Sequence, residues 1–225
     1  MPGTVLIVRP EPGLSASLAA ANALGLNAVG YPMFEIRAAA WHCPDPAEID
    51  ALIIGSANAI RHGGAGLDLL KGKPVYAVGE STADAARAVG FTVAATGSGG
   101  LQNVLDAVPV PLRLLRIAGA DHVALRVPEG VQMQTVIAYE AFACELPEPL
   151  RALQDLELTV MLHSAAAAEQ FDRESRRLAL HRSRIVLTVI GPRVAAAAGA
   201  GWRAVHVSPA PNDYALLELT RQVCI

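Results

Sequence analysis

Ala51-Leu52-Ile53-Ile54-Gly55-Ser56-Ala57-Asn58-Ala59 decides the fold, because a stretch of the same design returns later in the chain. It reads as a short buried strand, a turn of small residues and the start of a helix. Thr159-Val160-Met161-Leu162-His163-Ser164-Ala165-Ala166-Ala167 has the same order of apolar, small and helix-favouring residues. A repeated strand–turn–helix unit predicts two equivalent α/β halves, and we expect function in a cleft between them.

Further units repeat around this pair. Tyr76–Thr82 follows the first copy, and Val189–Arg193 follows the second with the same sequence of apolar residues, glycine and helix start. Val29–Phe34 and Ile137–Phe142 are strand-like, and each places a tyrosine three residues before a phenylalanine. Strand and helix signals therefore alternate along the chain, which predicts parallel sheets covered by helices in two flavodoxin-like halves.

Helices are expected where apolar residues recur at helical spacing between turn residues. The expected ranges are Leu14–Leu24, Ser81–Val89, Leu101–Val108 and His122–Glu129.

The order of the units predicts a discontinuous first domain. The opening unit, Val5–Phe34, matches Leu112–Phe142 in the middle of the chain. If each half needs every kind of unit, the opening segment must pack with the carboxyl-terminal one. We expect residues 1–36 plus 145–225 to form one α/β domain and residues 38–140 the other. A two-stranded β linker would join them, with Tyr139 at a crossing.

Composition excludes several classes of protein. The 225 residues are 52% hydrophobic and 4% aromatic and carry a net charge of −3. A chain without a basic run or stacking platform is not expected to bind nucleic acid. No apolar run approaches the roughly 20 residues that span a bilayer, so no membrane partner is expected. Three separated cysteines without metal-binding spacing predict the reducing cytoplasm.

Small polar residues follow the predicted strands at the turns into helices. They are Ser56, Ser81, Thr82, Ser164 and the turn Gly191–Arg193. Such turns expose helix amino-terminal N–H groups at the carboxyl edge of a parallel sheet, where open α/β folds bind ligands and helix dipoles favour anions. Phosphate-binding fingerprints and paired metal ligands are missing from the sequence, because Gly97-Ser98-Gly99-Gly100 lacks the P-loop lysine and the histidines are scattered.

An ordered set of short motifs carries a family resemblance. The set comprises Val8-Arg9-Pro10, the strand-Ser-Ala-x-Ala turns at Ser56 and Ser164, Val78–Ala83, Val136–Tyr139 and Ile190-Gly191-Pro192. Together, and over essentially the whole chain, they resemble uroporphyrinogen-III synthase. The resemblance implies two α/β domains joined by a two-stranded linker. It also implies a cofactor-independent lyase that closes hydroxymethylbilane to uroporphyrinogen III, with inversion of ring D and loss of water.

The resemblance also implies roles for residues. The family's cleft tyrosine falls on Tyr139, which we expect to be catalytic. Its serine after the second-half strand falls on Ser164, and its threonine after Val-Gly falls on Thr82. Gly55 stands where the family often has threonine, and Arg193 replaces the threonine of Gly-Pro-Thr. The substrate-binding residues that we expect are Arg9, Ser56, Ser81, Thr82, Ser164, Gly191 and Arg193.

Two other functions remain open from the sequence. A non-catalytic two-lobed module that binds an anion or small molecule would share the hinge crossings and cleft. A nucleotide or sugar-phosphate enzyme on a flavodoxin-like fold is opposed by the missing phosphate loop. In the preferred interpretation the chain acts as a cytoplasmic monomer on a small-molecule substrate, without metal or cofactor.

Overall fold

The computed structural model describes residues 3–155 and 157–224. Residues 1, 2, 156 and 225 of the predicted first domain lie outside the described residues. The strands are β1 (Thr4–Ile7), β2 (Asn27–Gly30), β3 (Phe34–Ala38), β4 (Ala51–Ile54), β5 (Val75–Val78), β6 (Val93–Gly97), β7 (Leu112–Gly119), β8 (Val131–Ala143), β9 (Leu158–Leu162), β10 (Ile185–Val189) and β11 (Ala204–Val207). The α-helices are α1 (Gly13–Ala23), α2 (Ala57–His62), α3 (Glu80–Ala88), α4 (Leu101–Asp106), α5 (Ala165–Arg177), α6 (Pro192–Ala197) and α7 (Asp213–Val223).

One sheet has the strand order β11-β10-β9-β1-β2, and its strands pair in parallel. Numbered along the chain, these strands have the order 2-1-3-4-5, which is the flavodoxin-like arrangement. β1 occupies the centre because Leu6 pairs with Val29 of β2 on one side and with Val160 of β9 on the other. The predicted α/β class with parallel sheets is confirmed.

The other sheet has the strand order β3-β8-β7-β4-β5-β6. Apart from β3, its order matches the first sheet if the chain is counted from β7, since β7 lies between β8 and β4 as β1 lies between β2 and β9. The predicted match between the opening unit and Leu112–Phe142 is therefore seen in the strand order.

Strand sequences explain the layers of the first sheet. Residues of β1 alternate between two buried clusters, with Leu6 in one and Val5 and Ile7 in the other. Val160 and Met161 of β9 divide between the same clusters. A strand covered by helices on both faces needs apolar residues at every position, and this is why these strands read as unbroken apolar runs.

The chain separates into two compact units. One consists of Met1–Glu35 with Phe142–Ile225, and the other of Ile36–Ala141. The sequence places domain limits at 36, 38, 140 and 145. We propose that each unit is a folding domain.

β3 lies at the edge of the second sheet, next to β8. Ala39 N–H donates to Ala138 O at 2.9 Å, and Cys144 N–H donates to Met33 O at 2.8 Å. The paired numbers rise on one strand as they fall on the other, so the two strands run antiparallel. That this ribbon acts as the predicted linker stays a prediction.

Helix α5 holds the segment that follows β8. Gln170 donates to Cys144 O at 3.0 Å, and Glu174 accepts from Leu146 N–H at 2.7 Å and from Arg177 at 2.8 Å. Burial alone would raise the pKa of Glu174, but the bonds from Arg177 and Leu146 outweigh it and hold the pKa below its ordinary value. An ionised carboxylate with these donors fixes the return of the chain into the first unit.

The predicted helix over His122–Glu129 is wrong, because this crossover between β7 and β8 is irregular. Main-chain groups that a helix would pair internally are bonded to side chains of other elements. Gln102 donates to Arg126 O and accepts from Arg126 N–H, each at 2.9 Å, and Arg116 donates to Val123 O at 2.9 Å. These tertiary hydrogen bonds override the local helix propensity.

We predict that the two units differ when expressed as fragments. Residues 36–141 contain β4 to β8 and should unfold cooperatively in urea, because their central strands keep their neighbours. Residues 142–225 lack β1, β2 and α1, which leaves the edge of β9 and an apolar face uncovered, and should not. Circular dichroism during urea titration measures both. Cooperative unfolding of 142–225 alone would contradict the discontinuous domain.

Candidate functional site

Three of the predicted residues of the first unit lie at one edge of its sheet. Arg9 follows β1, Ser164 follows β9 and Gly191 follows β10. These three strands are parallel neighbours, so their carboxyl ends share an edge. That edge is where open α/β sheets bind ligands.

Ser164 is the N-cap residue of α5. Its Oγ accepts from Ala167 N–H at 3.1 Å, and its side chain is exposed. The N–H groups of Ala165 and Ala166, in the first turn, have no carbonyl within the helix to bond. They point to the same edge and suit an anion, because the helix macrodipole adds to them.

Gly191 and Arg193 frame the start of α6. Gly191 is the N-cap residue in an extended conformation, Pro192 occupies the first turn, and Arg193 is exposed. Since α6 has six residues and α5 has thirteen, the larger aligned dipole belongs to α5. We therefore expect the exposed Arg193 to contribute mainly its positive charge at this edge.

Arg9 is already engaged with neighbouring side chains. Its Nη1 lies 3.1 Å from Asp213 Oδ1 and donates to Ser17 Oγ at 3.1 Å. His163 Nε2 lies 2.7 Å from the same Asp213 oxygen. Sequence reasoning missed Ser17 and Asp213, since they come from α1 and α7. The Asn212-Asp213 start of a helix was the one available signal.

In the second unit Ser56, Ser81 and Thr82 follow the neighbouring strands β4 and β5. Ser56 caps α2 by accepting from Asn58 N–H at 3.2 Å. Gly79 precedes α3 with φ of +74°, a conformation that favours glycine. Ser81 is exposed, but Thr82 is 4% exposed and packs inward. The structure thus presents Ser81, and not Thr82, at the surface of this turn.

Tyr139 lies on β8 opposite Gly119, where β7 ends. Its ring packs on Gly119 so closely that a Cβ there would lie 2.6 Å from ring atoms. The ring of His62, in the last turn of α2, has its centroid 6.5 Å away and is tilted by 40°. The orientation of the Tyr139 ring is therefore fixed by packing within the second unit.

Arg116 adds a charge near Tyr139 that sequence reasoning missed. It is 4% exposed on β7, and its side chain donates to Val123 O at 2.9 Å. Its Nε is enclosed and has no hydrogen-bond partner among the residues that the structure describes. Burial lowers the pKa of Arg116, and Tyr139 acts in the opposite direction. A lone arginine within an apolar strand gives no sequence signal of its surroundings.

A cavity of about 220 Å³ lies at the opposite, amino-terminal edge of the first sheet. Its lining includes Arg184, Arg203 and His206 and none of the predicted site residues. The strand-end chemistry is the better guide to the site, since it gathers polar groups from several strands at one edge.

Two mostly parallel sheets with capped helices, fixed charges and a packed tyrosine at their carboxyl edges are typical of an α/β enzyme of two units. Residues 16–218 match the family described as Uroporphyrinogen-III synthase HemD. The chain belongs to the uroporphyrinogen-III synthase family, and it is accordingly a cyclising lyase of tetrapyrrole and heme biosynthesis.

Solved structures agree with this fold. The chain is similar to uroporphyrinogen-III synthetase from Helicobacter pylori, with 17% identity and a TM-score of 0.68 over 99% of this chain and 100% of that one. It is also similar to a mutant uroporphyrinogen III synthase from the extremely thermophilic bacterium Thermus thermophilus, with 17% identity and a TM-score of 0.56 over 98% of each chain. No curated protein sequence gives a significant match. Within the described residues no helix is both long and apolar enough to cross a membrane.

We predict that the two capping serines stabilise the fold more than they bind substrate. Ser56→Ala and Ser164→Ala should each lower the free energy of unfolding by about 1 kcal/mol, the usual cost of losing an N-cap. Apparent substrate affinity should change little, because main-chain N–H groups remain. Ser81→Ala, which removes an exposed hydroxyl, is the matched control and should leave stability unchanged. Urea titration and KM measure the two effects, and a large KM change at unaltered stability would contradict the prediction.

Proposed function

We propose that this protein closes the linear tetrapyrrole hydroxymethylbilane to uroporphyrinogen III, inverting ring D and releasing water, without a cofactor. The family match over residues 16–218 carries the proposal. The chemistry available at the two sheet edges supports it. No metal or redox group is needed, because the electron-rich pyrrole next to the hydroxymethyl group supplies the electron pair that expels oxygen.

We propose that the carboxylates of the substrate drive its binding. Hydroxymethylbilane carries several carboxylates, so its host needs N–H donors and cations more than an apolar slot. The first turns of α3 and α5 offer main-chain N–H groups, and Arg9 and Arg193 offer charge at the first sheet. Ser56, Ser81, Ser164 and Gly191 are the remaining proposed contacts, and Thr82, which is buried, is proposed to support its turn.

Tyr139 is proposed as the catalytic residue. Breaking the hydroxymethyl C–O bond is easier when a donor passes a proton to the departing oxygen, which then leaves as water; the proton that the substituted pyrrole carbon releases on ring closure restores the donor. A phenol can donate in this way while neutral. The packing of the Tyr139 ring on Gly119 supports the role, because a fixed ring aims its hydroxyl without an ordering cost at the moment of reaction.

We further propose a cytoplasmic monomer that has no nucleic-acid or membrane partner. Cys43, Cys144 and Cys224 are free thiols, as suits a reducing compartment. The net charge of −3 disfavours binding to polyanions. The substrate is a small molecule, as the family implies.

Incubation with freshly prepared hydroxymethylbilane tests the function. Spontaneous closure gives uroporphyrinogen I, so we expect isomer III in proportion to enzyme and isomer I in its absence. Chromatographic separation of the two isomers measures the ratio. If added protein leaves isomer I as the product, the proposed function is wrong.

We predict that Tyr139→Phe lowers kcat roughly 10-fold and leaves KM and the fold unchanged. The bilane activates its own leaving group, so the effect should fall at the low end of the general-acid range. Tyr31→Phe is the control, because Tyr31 follows β2 at the equivalent point of the repeat, is 38% exposed and is not expected to take part in the reaction. Equal turnover of Tyr139→Phe and wild type, or greater damage from Tyr31→Phe, would overturn the catalytic assignment.

A further inference from the structure

Four side chains form a polar cluster at the carboxyl edge of the first sheet. Asp213 Oδ2 accepts from Ser17 Oγ at 2.8 Å, and Asp213 Oδ1 lies 2.7 Å from His163 Nε2 and 3.1 Å from Arg9 Nη1. The same Nη1 donates to Ser17 Oγ at 3.1 Å. Asp213 thus touches each of the other three side chains, and Arg9 is held at two points.

Protonation states follow from the surroundings. The His163 side chain is 7% exposed, and burial, followed by the charge of Arg9, lowers its pKa against the opposing pull of Asp213. The neutral imidazole donates through Nε2 to Asp213. Burial would raise the pKa of Asp213, but the bonds from His163 and Ser17 outweigh it and lower that pKa. The cluster therefore contains one carboxylate, one guanidinium and a neutral imidazole.

His163 is itself fixed in an unusual way. Its Nδ1 is enclosed and has no hydrogen-bond partner among the described residues. A neutral histidine in that state leaves an unpaired acceptor in the interior, which is unfavourable. The bond of Nε2 to Asp213 is then the one polar contact that offsets its burial. His163 is thus a buried residue that holds the Asp213 carboxylate in position through this hydrogen bond.

Arg9 keeps part of its binding capacity. Its side chain is 29% exposed, and within residues 3–155 and 157–224 its Nε and Nη2 make no hydrogen bond. The Nε–Nη2 side of the guanidinium packs on Gly13, where a Cβ would lie 2.3 Å from Nε and 2.7 Å from Nη2. Glycine at the start of α1 therefore gives the guanidinium its place. The guanidinium is thus fixed in position and still has N–H donors without a hydrogen-bond partner among the described residues, which a carboxylate could accept.

We infer that Ser17, His163 and Asp213 are positioning residues, which fix Arg9 so that its remaining N–H donors receive a carboxylate of the bilane. The inference rests on the proposed function. An arginine whose rotamer is set before binding loses less freedom when the anion arrives. The rival role is plain neutralisation, in which Asp213 ties the first unit together and occupies the charge of Arg9.

The two roles predict opposite changes of KM in the Asp213→Ala variant. Positioning predicts that KM for hydroxymethylbilane rises about 10-fold with kcat within about twofold, since a charge-assisted contact is lost at a distance from the reacting carbon. Neutralisation predicts that KM falls, because a cation is released toward an anionic substrate. Asp213→Asn keeps the shape and one acceptor oxygen but loses the second acceptor and the charge, so it should raise KM less than Asp213→Ala does.

A double variant shows whether Asp213 acts through Arg9. In an Arg9→Met background, Asp213→Ala should leave KM where Arg9→Met alone puts it, because residues that act as a unit are not additive. Ser17→Ala should raise KM about threefold and also lose its effect in that background. Glu218→Ala is the matched control. Glu218 lies on the same helix and pairs with Arg221 at 3.0 Å, so its loss should not move KM.

Steady-state isomer III formation, with melting temperatures of every variant, gives the outcome. The inference is wrong if KM falls or stays constant in Asp213→Ala. It is also wrong if Asp213→Ala raises KM as much in the Arg9→Met background as in the wild-type protein. If Asp213→Ala melts below the assay temperature, Ser17→Ala decides by the same two comparisons. Absence of isomer III with the wild-type protein would instead overturn the proposed function.

Discussion

The parallel hydrogen bonding of β1 to β2 and β9 is the constraint on which the first unit depends. Leu6 pairs with Val29 on one side and with Val160 on the other, so the central strand comes from the start of the chain and its neighbour from far along it. Parallel strands need long crossovers, and here one crossover contains the whole second unit. Residues 142–225 must return before the central strand has both partners, which makes the first unit discontinuous.

Polar contacts also connect the opening and the returning segments of the first unit. Arg9 and Ser17 come from the opening segment, and His163 and Asp213 come from the returning one, so the cluster they form ties the two segments at the carboxyl edge. Apolar residues on both faces bury the strands in the sheet, and the polar cluster fixes their ends, because the buried Ser17 and His163 are costly to bury without partners. A rigid strand end is also what a binding site needs. The contacts that join the two segments therefore also set the geometry of the sheet edge that we propose binds the anionic substrate.

Sequence reasoning succeeded where the signal was local or repeated. The Gly55-Ser56 and His163-Ser164 turns indicated strand, cap and helix correctly, because a cap and an apolar run are read from adjacent residues. It failed over His122–Glu129, where side chains of distant elements bond the main chain. It also missed Asp213, whose partners lie far away in sequence and meet only in the folded sheet. Topology was readable from repeats, but side-chain partnerships across elements were not.

The two units treat buried charge differently, and the difference bears on Tyr139. In the first unit the charge of Arg9 is matched by Asp213. In the second, Arg116 is 4% exposed, and among the described residues it has no carboxylate partner. A buried cation without a counter-charge is unfavourable unless electron-rich groups face it. The electrostatic interaction with Tyr139 favours the charged form of Arg116. Tyr139, which we propose assists the departing oxygen, thus also opposes the effect of burial on the pKa of Arg116.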